Sequence, residues 1–449
     1  MKTYKKTILY SGIALGVILS GCASVQGHKG SMQKMDGAMQ SNNCDYSDID
    51  SKIKKNDDTI LWGIQGGSLA RNCLDYKKSN TLFDKAESKY KTDVDLDSAV
   101  NNVGESAGAV LVNNNVMDYE GNTYEKVMVN TYKGLNFAQL GDSANARVEF
   151  NRALDRQRRA KSQYKKEIAE KQKELKKSAK EMKIAKNKKT QSAISKHYDG
   201  TFSGFKAYPD FINPFTTYIS GIYFMLDGDN RKARSILRDS MNMDPTNSQI
   251  RSDYALSKKG SLKKSRQKYA WVIFENGQGM VKDEIKVDIP LFLVSKNAFY
   301  TGIALPKLTE RPKAYSHLSV NGKNTKQICN MDNVIKTEFK KRLPGIVTEA
   351  VVGAVAKTVI QKQLSDEHAG LGLLGAIYQA ATNTADVRSW TSLPKNFQSV
   401  RVPVTGKPIV IKDSSGKVIK TVKVPKSKNA MIYVKSFVPG NDKVHEMFF

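Results

Sequence analysis

The spacing of apolar and polar residues divides the chain into segments of different kinds. From about residue 50 to residue 255, apolar side chains recur at helical spacing with few prolines. From Lys268 onward, β-branched runs alternate with Gly and Pro turns, which is typical of short strands. The pattern predicts an α+β multidomain protein. Its expected parts are a flexible, Gly-, Ser- and Gln-rich tether over 22–49, a helical domain over 50–265 and a β-rich C-terminal module over 266–449.

The first two dozen residues are organised like an export signal. Three lysines precede an uncharged run over 7–20 that is too short to span a bilayer. The run ends in Leu-Ser-Gly-Cys, which resembles the signal of bacterial lipoproteins. The resemblance implies a signal peptide over 1–21 and a diacylglycerol and palmitate modification of Cys22. Because Ala23 follows rather than Asp, the resemblance also implies an outer-membrane location. The body of the protein would then work in the periplasm or at the cell surface, and the periplasmic side is expected. A signal cleaved without lipidation and a retained N-terminal anchor are the alternatives.

Three stretches of the helical half share one spacing of small and large residues. The stretch 216–245 has a glycine and an aromatic residue, then a small, large, small pattern closed by a proline. Two earlier stretches have the same register, which resembles the tetratricopeptide repeat (TPR). The resemblance implies helical hairpins in which small residues permit close approach and each hairpin stacks on a neighbour. The expected packing residues are Gly67, Phe83, Ala86, Gly134, Phe137, Ala146, Phe150, Ala153, Gly221, Phe224, Ala233, Leu237 and Pro245.

The concave face of such an array would receive a peptide or helix of a protein partner. First-helix residues would line that face, so Thr131, Gln139 and Tyr218 are the candidate partner-binding positions. The early Trp and Leu of the family are absent from all three units, and the units are not in tandem. Another helical bundle with Gly-Asp turns is therefore the alternative.

A strongly basic run separates the second and third units. Residues 155–190 carry 15 Lys and Arg against 5 Asp and Glu, without Gly or Pro, which favours one long helix. Ile168, Leu175 and Met182 recur every seven residues and form a thin apolar stripe. Two interpretations stay open. The run is either a solvated helical arm packed lightly on the repeats or a contact surface for a polyanion or an acidic partner.

The C-terminal module contains the turn signals of a small β-sandwich or sheet. A strand over 269–274 ends at Asn276-Gly277, and Asn321-Gly322 marks a tight hairpin. Four more short strands are expected near the end of the chain, which are 400–404, 408–412, 418–424 and 431–434.

An Ala-, Gly- and Val-rich stretch interrupts the strands. Its two apolar pieces, 346–360 and 370–381, are each shorter than a bilayer span. A helical hairpin over 333–385 buried against the sheet is expected, with insertion into a membrane or a pore partner as the alternative. Beyond it, Asp386 and Arg388 form either a brace around a core Trp390 or a binding spot.

Charge and cysteine content limit the classes of partner. The chain has 72 Lys and Arg against 44 Asp and Glu, for a net charge of +28. An exported protein meets little nucleic acid, so the available polyanions are lipid head groups, lipopolysaccharide and cell-wall polymers. General use of lysine for solubility is the alternative. A disulfide between Cys44 and Cys73 is possible, and Cys329 remains.

Catalytic motifs are missing from the sequence. The five histidines are scattered, with no His-Glu-x-x-His motif, nucleophile elbow or phosphate-binding glycine loop. We therefore expect no enzyme activity, no catalytic residue, no cofactor and no metal, although a pair of carboxylates acting on cell-wall glycan needs no fixed spacing.

The combined features resemble a family of bacterial outer-membrane lipoproteins with TPR-like repeats. The likeness rests on the signal, the phrase GGSLARNCLDYKKSN, the strand IFENGQG and the closing ADVRSW-x-x-LP. Its members tend to be encoded near lipoproteins similar to the curli secretion channel or to activators of penicillin-binding proteins, which implies envelope assembly. The expected function is that of a lipid-anchored scaffold that binds envelope proteins, other lipoproteins among them, through its repeats. The alternative is a basic binder of anionic envelope polymers or lipids.

Overall fold

Helices occupy the first half of the chain and strands dominate the second in the computed structural model, which describes residues 29–90, 118–175, 183–208, 211–290, 300–367 and 384–449. The signal over 1–21 and the lipidation site Cys22 therefore lie outside the described residues. The helices before the strands are α1 (29–41), α2 (Ser47–Lys54), α3 (Thr59–Asn72), α4 (Tyr76–Lys89), α5 (Thr123–Gln139), α6 (Ser143–Leu175), α7 (Lys188–Tyr198), α8 (Pro214–Asp227), α9 (Asn230–Met243) and α10 (Ser248–Ser257).

Paired helices form three hairpins, α3/α4, α5/α6 and α8/α9, and a short turn connects the two helices of each hairpin. In α8/α9, Gly228 ends the first helix with φ +97° and the carboxylate of Asp229 accepts from the Lys232 backbone N–H. Gly141 and Asp142 take the same roles in α5/α6. A left-handed residue followed by an N-cap reverses the chain within two positions, which places the two helices antiparallel.

The first helix of each hairpin presents a glycine to the second. A Cβ on Gly67 would lie 2.4 Å from the Phe83 ring, and one on Gly221 would lie 2.7 Å from Leu237. Gly134 faces the ring of Phe150 in the same way. Any larger side chain would push the helices apart. The other packing positions, Ala86, Ala146, Ala153, Phe224 and Ala233, are buried, whereas Phe137 is partly buried. Pro245 lies between α9 and α10.

The strands form a five-stranded sheet, a four-stranded sheet and a two-stranded hairpin. The five-stranded sheet has the order β11-β10-β1-β7-β6, the four-stranded sheet the order β5-β4-β8-β9, and β2 pairs with β3. Their bounds are β1 (Lys268–Asn276), β2 (Val281–Pro290), β3 (Tyr300–Thr309), β4 (Ser319–Val320), β5 (Lys323–Asn324), β6 (Lys326–Asn330), β7 (Asn396–Val404), β8 (Ile409–Lys412), β9 (Val418–Val422), β10 (Ala430–Ser436) and β11 (Asp442–Phe448). β1 and β10 are parallel, and the other pairs are antiparallel.

The five-stranded sheet is covered on both faces. One face packs on the helices through a core that includes Trp271, Tyr433 and the α5 residue Tyr132. The other face packs on the four-stranded sheet through residues such as Val272 and Ile411. Alternate residues of β1 therefore belong to two cores, as the period of a strand requires. Near residue 265, where a domain boundary was expected, the chain changes from helices to strands. The two parts belong to one continuous core.

The flexible tether expected over 22–49 is wrong for its described part. Residues 29–41 form α1, and its Met32, Met35 and Met39 are buried. Cys44 and Cys73 form a disulfide that fixes the segment to the end of α3. Three methionines at helical spacing form the apolar face of α1, although the composition of the segment is polar. Methionine suits this role because it fills irregular gaps in a core.

The basic run over 155–190 is not one separate helix. Its first part continues α6, the second helix of a repeat hairpin, to Leu175, and residues 176–182 lie outside the description. The chain turns again at Lys186, and the side chain of Asn187 caps α7. The Tyr164 hydroxyl donates to the Lys341 carbonyl at 2.6 Å, so this part of α6 is held against the C-terminal half.

A long helix, α11 (Met331–Glu367), stands where the hairpin over 333–385 was expected. Its first arm is present, whereas the expected second arm falls mainly in 368–383, outside the described residues. The Asn321-Gly322 hairpin is also present, with both residues at positive φ, but the strand after it divides between two sheets as β5 and β6. No helix in the described ranges is long and apolar enough to cross a bilayer.

Candidate functional site

The inner face of the helical hairpins, where a partner was expected, contacts the C-terminal half of the same chain. The segment 389–392 lies against α3: the Gln65 amide donates to the Ser389 carbonyl and to Thr391 Oγ1, both at 3.1 Å. The Trp390 indole N–H donates to Ser68 Oγ at 2.8 Å. The Trp390 ring packs edge-on against Phe83 and Tyr132, with centroids 5.8 Å away in both cases. This segment fills the first part of the groove.

The candidate partner-binding residues all face inward. Thr131 is fully buried and its hydroxyl lies 2.8 Å from that of Thr216 on α8. Tyr218 is fully buried and donates to Asp253 Oδ2 at 2.6 Å. Gln139, half-buried, donates to the Glu446 carbonyl of β11 at 3.1 Å. The prediction that these three residues receive a separate partner is wrong, because strands and helices of the same chain already cover them.

A buried carboxylate connects α8, α10 and the sheet. Asp253 accepts from Tyr218, from the Trp271 indole at 3.1 Å and from Arg401 at 2.8 Å. Burial raises the pKa of Asp253, and the Arg401 guanidinium opposes that rise. A buried carboxylate with this many donors is fully satisfied, so the cluster fixes geometry and offers no free acceptor.

A second buried cluster lies beneath the first hairpin. The Arg71 guanidinium is 4.6 Å from the Tyr132 ring centroid and 5.4 Å from that of Tyr433. Next to it, Lys435 and Glu275 form an ion pair of 2.8 Å with both side chains at most 4% exposed. Burial lowers the pKa of Lys435, and Glu275 offsets part of that effect. The two residues face each other on the parallel strands β1 and β10, so the pair links these strands beneath Arg71.

The expected brace around Trp390 has a third member from the helical half. Arg388 donates to Asp386 at 3.0 Å and to both oxygens of Asp58 at 2.8 and 3.0 Å. Burial disfavours the charge on Asp386, but Arg388 outweighs burial and lowers the pKa of that carboxyl. The Trp390 backbone N–H donates to Glu125 Oε1 at 3.0 Å. The arrangement favours the brace over a binding spot.

Another ionic cluster lies between the first and second hairpins. The Lys133 ammonium lies 2.7 Å from Asp84, 2.5 Å from Glu87 and 3.0 Å from Glu149. Burial disfavours the charged ammonium, but these carboxylates outweigh burial and raise the pKa of Lys133. No group of three or more His, Cys, Asp or Glu side chains with the geometry of a metal site occurs in the part of the chain that the structure describes.

Sequence reasoning missed Gln65, Ser68, Asp58 and Asp253 as members of this interface. The sequence contains one signal for Gln65 and Ser68. Both are polar residues inside α3, and their neighbours in that helix are apolar or small. A polar side chain on a helix buried all round requires a partner elsewhere in the fold. Nothing comparable marks Asp58 or Asp253, since Asp58 lies between Asp57 and Thr59 and Asp253 follows Arg251 and Ser252.

One open cleft of about 730 Å³ lies outside this closed interface. It is bounded by α10, the start of β1, the end of β7 and the β4–β5 turn, and Lys323, Lys326 and Arg401 contribute positive charge. Comparison of the chain with protein-family models, curated proteins and solved structures finds no match.

Proposed function

We propose that the chain is a lipid-anchored scaffold of the bacterial outer membrane that holds envelope proteins together. Its anchor is an acylated Cys22, and its helical hairpins are degenerate TPR-like units stacked on a sandwich-like pair of sheets. The Leu-Ser-Gly-Cys signal supports the anchor. The Cys44–Cys73 disulfide agrees with an exported protein, since disulfides persist in oxidising compartments.

The observation that carries the proposal is the filled inner face of the hairpins. Trp390, Tyr433 and their neighbours occupy the groove that a peptide ligand would need. A protein partner therefore binds the outer surface, where the second helices of the hairpins are exposed. On α9, Arg234 and Arg238 point outward while Ala233 and Leu237 face the core. The repeats thus act as a rigid frame for outer contacts and for the C-terminal module.

Photo-crosslinking from the outer surface tests the scaffold. A crosslinking amino acid at Arg234 is expected to capture one defined envelope protein in intact cells, and the same substitution at exposed Lys417 on the second sheet is the matched control. Replacing Cys22 by Ser is expected to abolish fatty-acid labelling and to lose the crosslink. If the crosslinker at Arg234 reacts efficiently with membrane lipid but with no protein, that result would contradict the scaffold function.

A second candidate function is the binding of an anionic envelope polymer. The specific observation in its favour is a set of exposed cations outside the basic run that form no ion pair within the described residues. The two functions differ in their response to salt, because screening at high ionic strength weakens contacts between exposed charges.

A further inference from the structure

Exposed cations from distant parts of the sequence converge at one end of the sheets. The linker between α10 and β1 supplies five of them, and the turns that flank β8 and β9 supply four more lysines. We call these nine residues the basic end. They are Lys258, Lys259, Lys263, Lys264, Arg266, Lys407, Lys423, Lys426 and Lys428.

Strand pairing brings these segments together. Lys268, which opens β1, pairs with Val404 at the end of β7, and Gln267 donates to the Val404 carbonyl. Ala270 pairs with Ala430 at the start of β10, so the 425–429 turn also lies here. A Cβ on Gly406 would lie 2.0 Å from the Lys426 side chain, which places that lysine across the 405–408 turn.

The charge of the basic end is not neutralised within the described part of the chain. All nine side chains belong to exposed residues, and none of them forms an ion pair there. The linker and both turns contain no Asp or Glu. The carboxylates on the neighbouring α8/α9 turn, Asp227 and Asp229, already pair with Arg147. The basic end therefore has a positive potential that an anionic partner would relieve.

The cleft of about 730 Å³ opens beside the basic end, since Gln267 and Tyr269 line it. Lys323 is exposed there, whereas Arg401 is held by Asp253 with its side chain only 14% exposed. A flat bilayer cannot enter a cleft, but a flexible chain can follow both the cleft and the turns. This shape favours a polymer over a membrane surface.

The basic end lies at the opposite end of β1 from the helix that leads to the N-terminus. Arg311 bonds both the Gly279 carbonyl and Asp36 of α1, just beyond the end of β1. Asn441 donates to the Met39 carbonyl at that same end. The eight residue steps of β1 separate the two ends by about 26 Å. An anchor at the N-terminus would therefore leave the basic end facing away from its membrane.

We infer that the basic end, with the adjoining cleft, binds a polyanionic polymer whose repeated carboxylate or phosphate groups match its lysines. The orientation of the basic end relative to the membrane rests on the lipid anchor of the proposed function, whereas the binding of polymer does not. The two can fail separately, because fatty-acid labelling tests the anchor and polymer binding to the purified chain tests the basic end.

Binding of fluorescent polyglutamate and polyphosphate to the full mature chain in non-ionic detergent tests the inference. The variant K259Q/K264Q/K407Q/K426Q is expected to bind at least tenfold more weakly at low salt, with a shallower dependence of log K on log salt. The control K165Q/K166Q/K183Q/K186Q removes four exposed lysines of the 155–190 run and is expected to bind within twofold of the wild type. A preference between the two polymers identifies the anionic group.

Other outcomes would overturn the inference. Equal losses in the two variants would mean that net charge alone drives binding. Vesicles of phosphatidylcholine with one fifth phosphatidylglycerol provide the second arm. The anchor inserts equally in both variants. If their affinities differ tenfold for these vesicles but not for the polymers, the basic end is a surface that binds a bilayer.

Discussion

Arg388 and Asp58 are joined by two hydrogen bonds of 2.8 and 3.0 Å, although 330 positions separate them in the sequence. The pair connects the turn before α3 to the segment that leads into β7, and both side chains are at most 4% exposed. A desolvated ion pair thus connects the helical half to the β-rich half.

Replacing Arg388 by Met is expected to lower the free energy of unfolding by about 3–5 kcal/mol, because Asp58 and Asp386 would remain buried without their cation. Urea unfolding followed by tryptophan fluorescence measures the change. The control is Arg158→Met, because the Arg158 side chain in its pair with Asp155 is 77% exposed, and the loss should stay below about 1 kcal/mol. A loss as small as the control's would show that the Arg388 pair contributes nothing to the docking.

Gly67→Ala is expected to destabilise the protein by about 1–3 kcal/mol, since the added methyl overlaps the Phe83 ring. The matched control is Gly345→Ala in α11, where nothing lies within 4 Å of the new Cβ. That change should be neutral or stabilise by up to about 1 kcal/mol through helix propensity. Thermal unfolding of both variants separates the two effects, and equal shifts would refute the close approach of α3 and α4.

Leu74→Gly is expected to stabilise the protein by up to about 1 kcal/mol. Leu74 occupies the turn position that glycine takes in the other hairpins, with φ +63°, and the residue is 49% exposed. A non-glycine residue pays about 1–2 kcal/mol for this conformation, and little packing would be lost. Chemical denaturation with the Cys44–Cys73 disulfide intact measures the gain, and destabilisation would show that Leu74 makes contacts the exposure does not suggest.

Stability is expected to fall as the pH drops from about 6.5 to 3. Burial, and then Arg71, Lys435 and Lys443, lower the pKa of His445 to about 3, from an ordinary value of 6.5. Between these values the unfolded chain binds one more proton than the folded chain, so up to about 1.4 kcal/mol is lost per pH unit. His445→Gln should flatten this part of the curve, measured as the unfolding free energy between pH 7 and 4.

The matched control for that measurement is His197→Gln, because His197 is exposed on α7. It should leave the slope unchanged. An unchanged slope in His445→Gln would instead mean that burial and the neighbouring cations do not hold the His445 ring neutral.

Local signals made the hairpins and most strands predictable. The Gly-Asp turns and the Asn321-Gly322 turn act over a few residues, so the sequence alone locates them. The occupant of the hairpins' inner face could not be found this way, because Trp390 reaches Ser68 across 322 positions and no local pattern encodes that distance. The tether prediction failed for a related reason, since the apolar face of α1 consists of methionines in a polar composition.

Helix α1, the first helix that the structure describes, contacts both halves of the protein. Asp36 pairs with Arg311 and the Met39 carbonyl accepts from Asn441, while the disulfide fixes the following turn to α3. Tension applied at the amino end is therefore divided between the helical and β-rich halves.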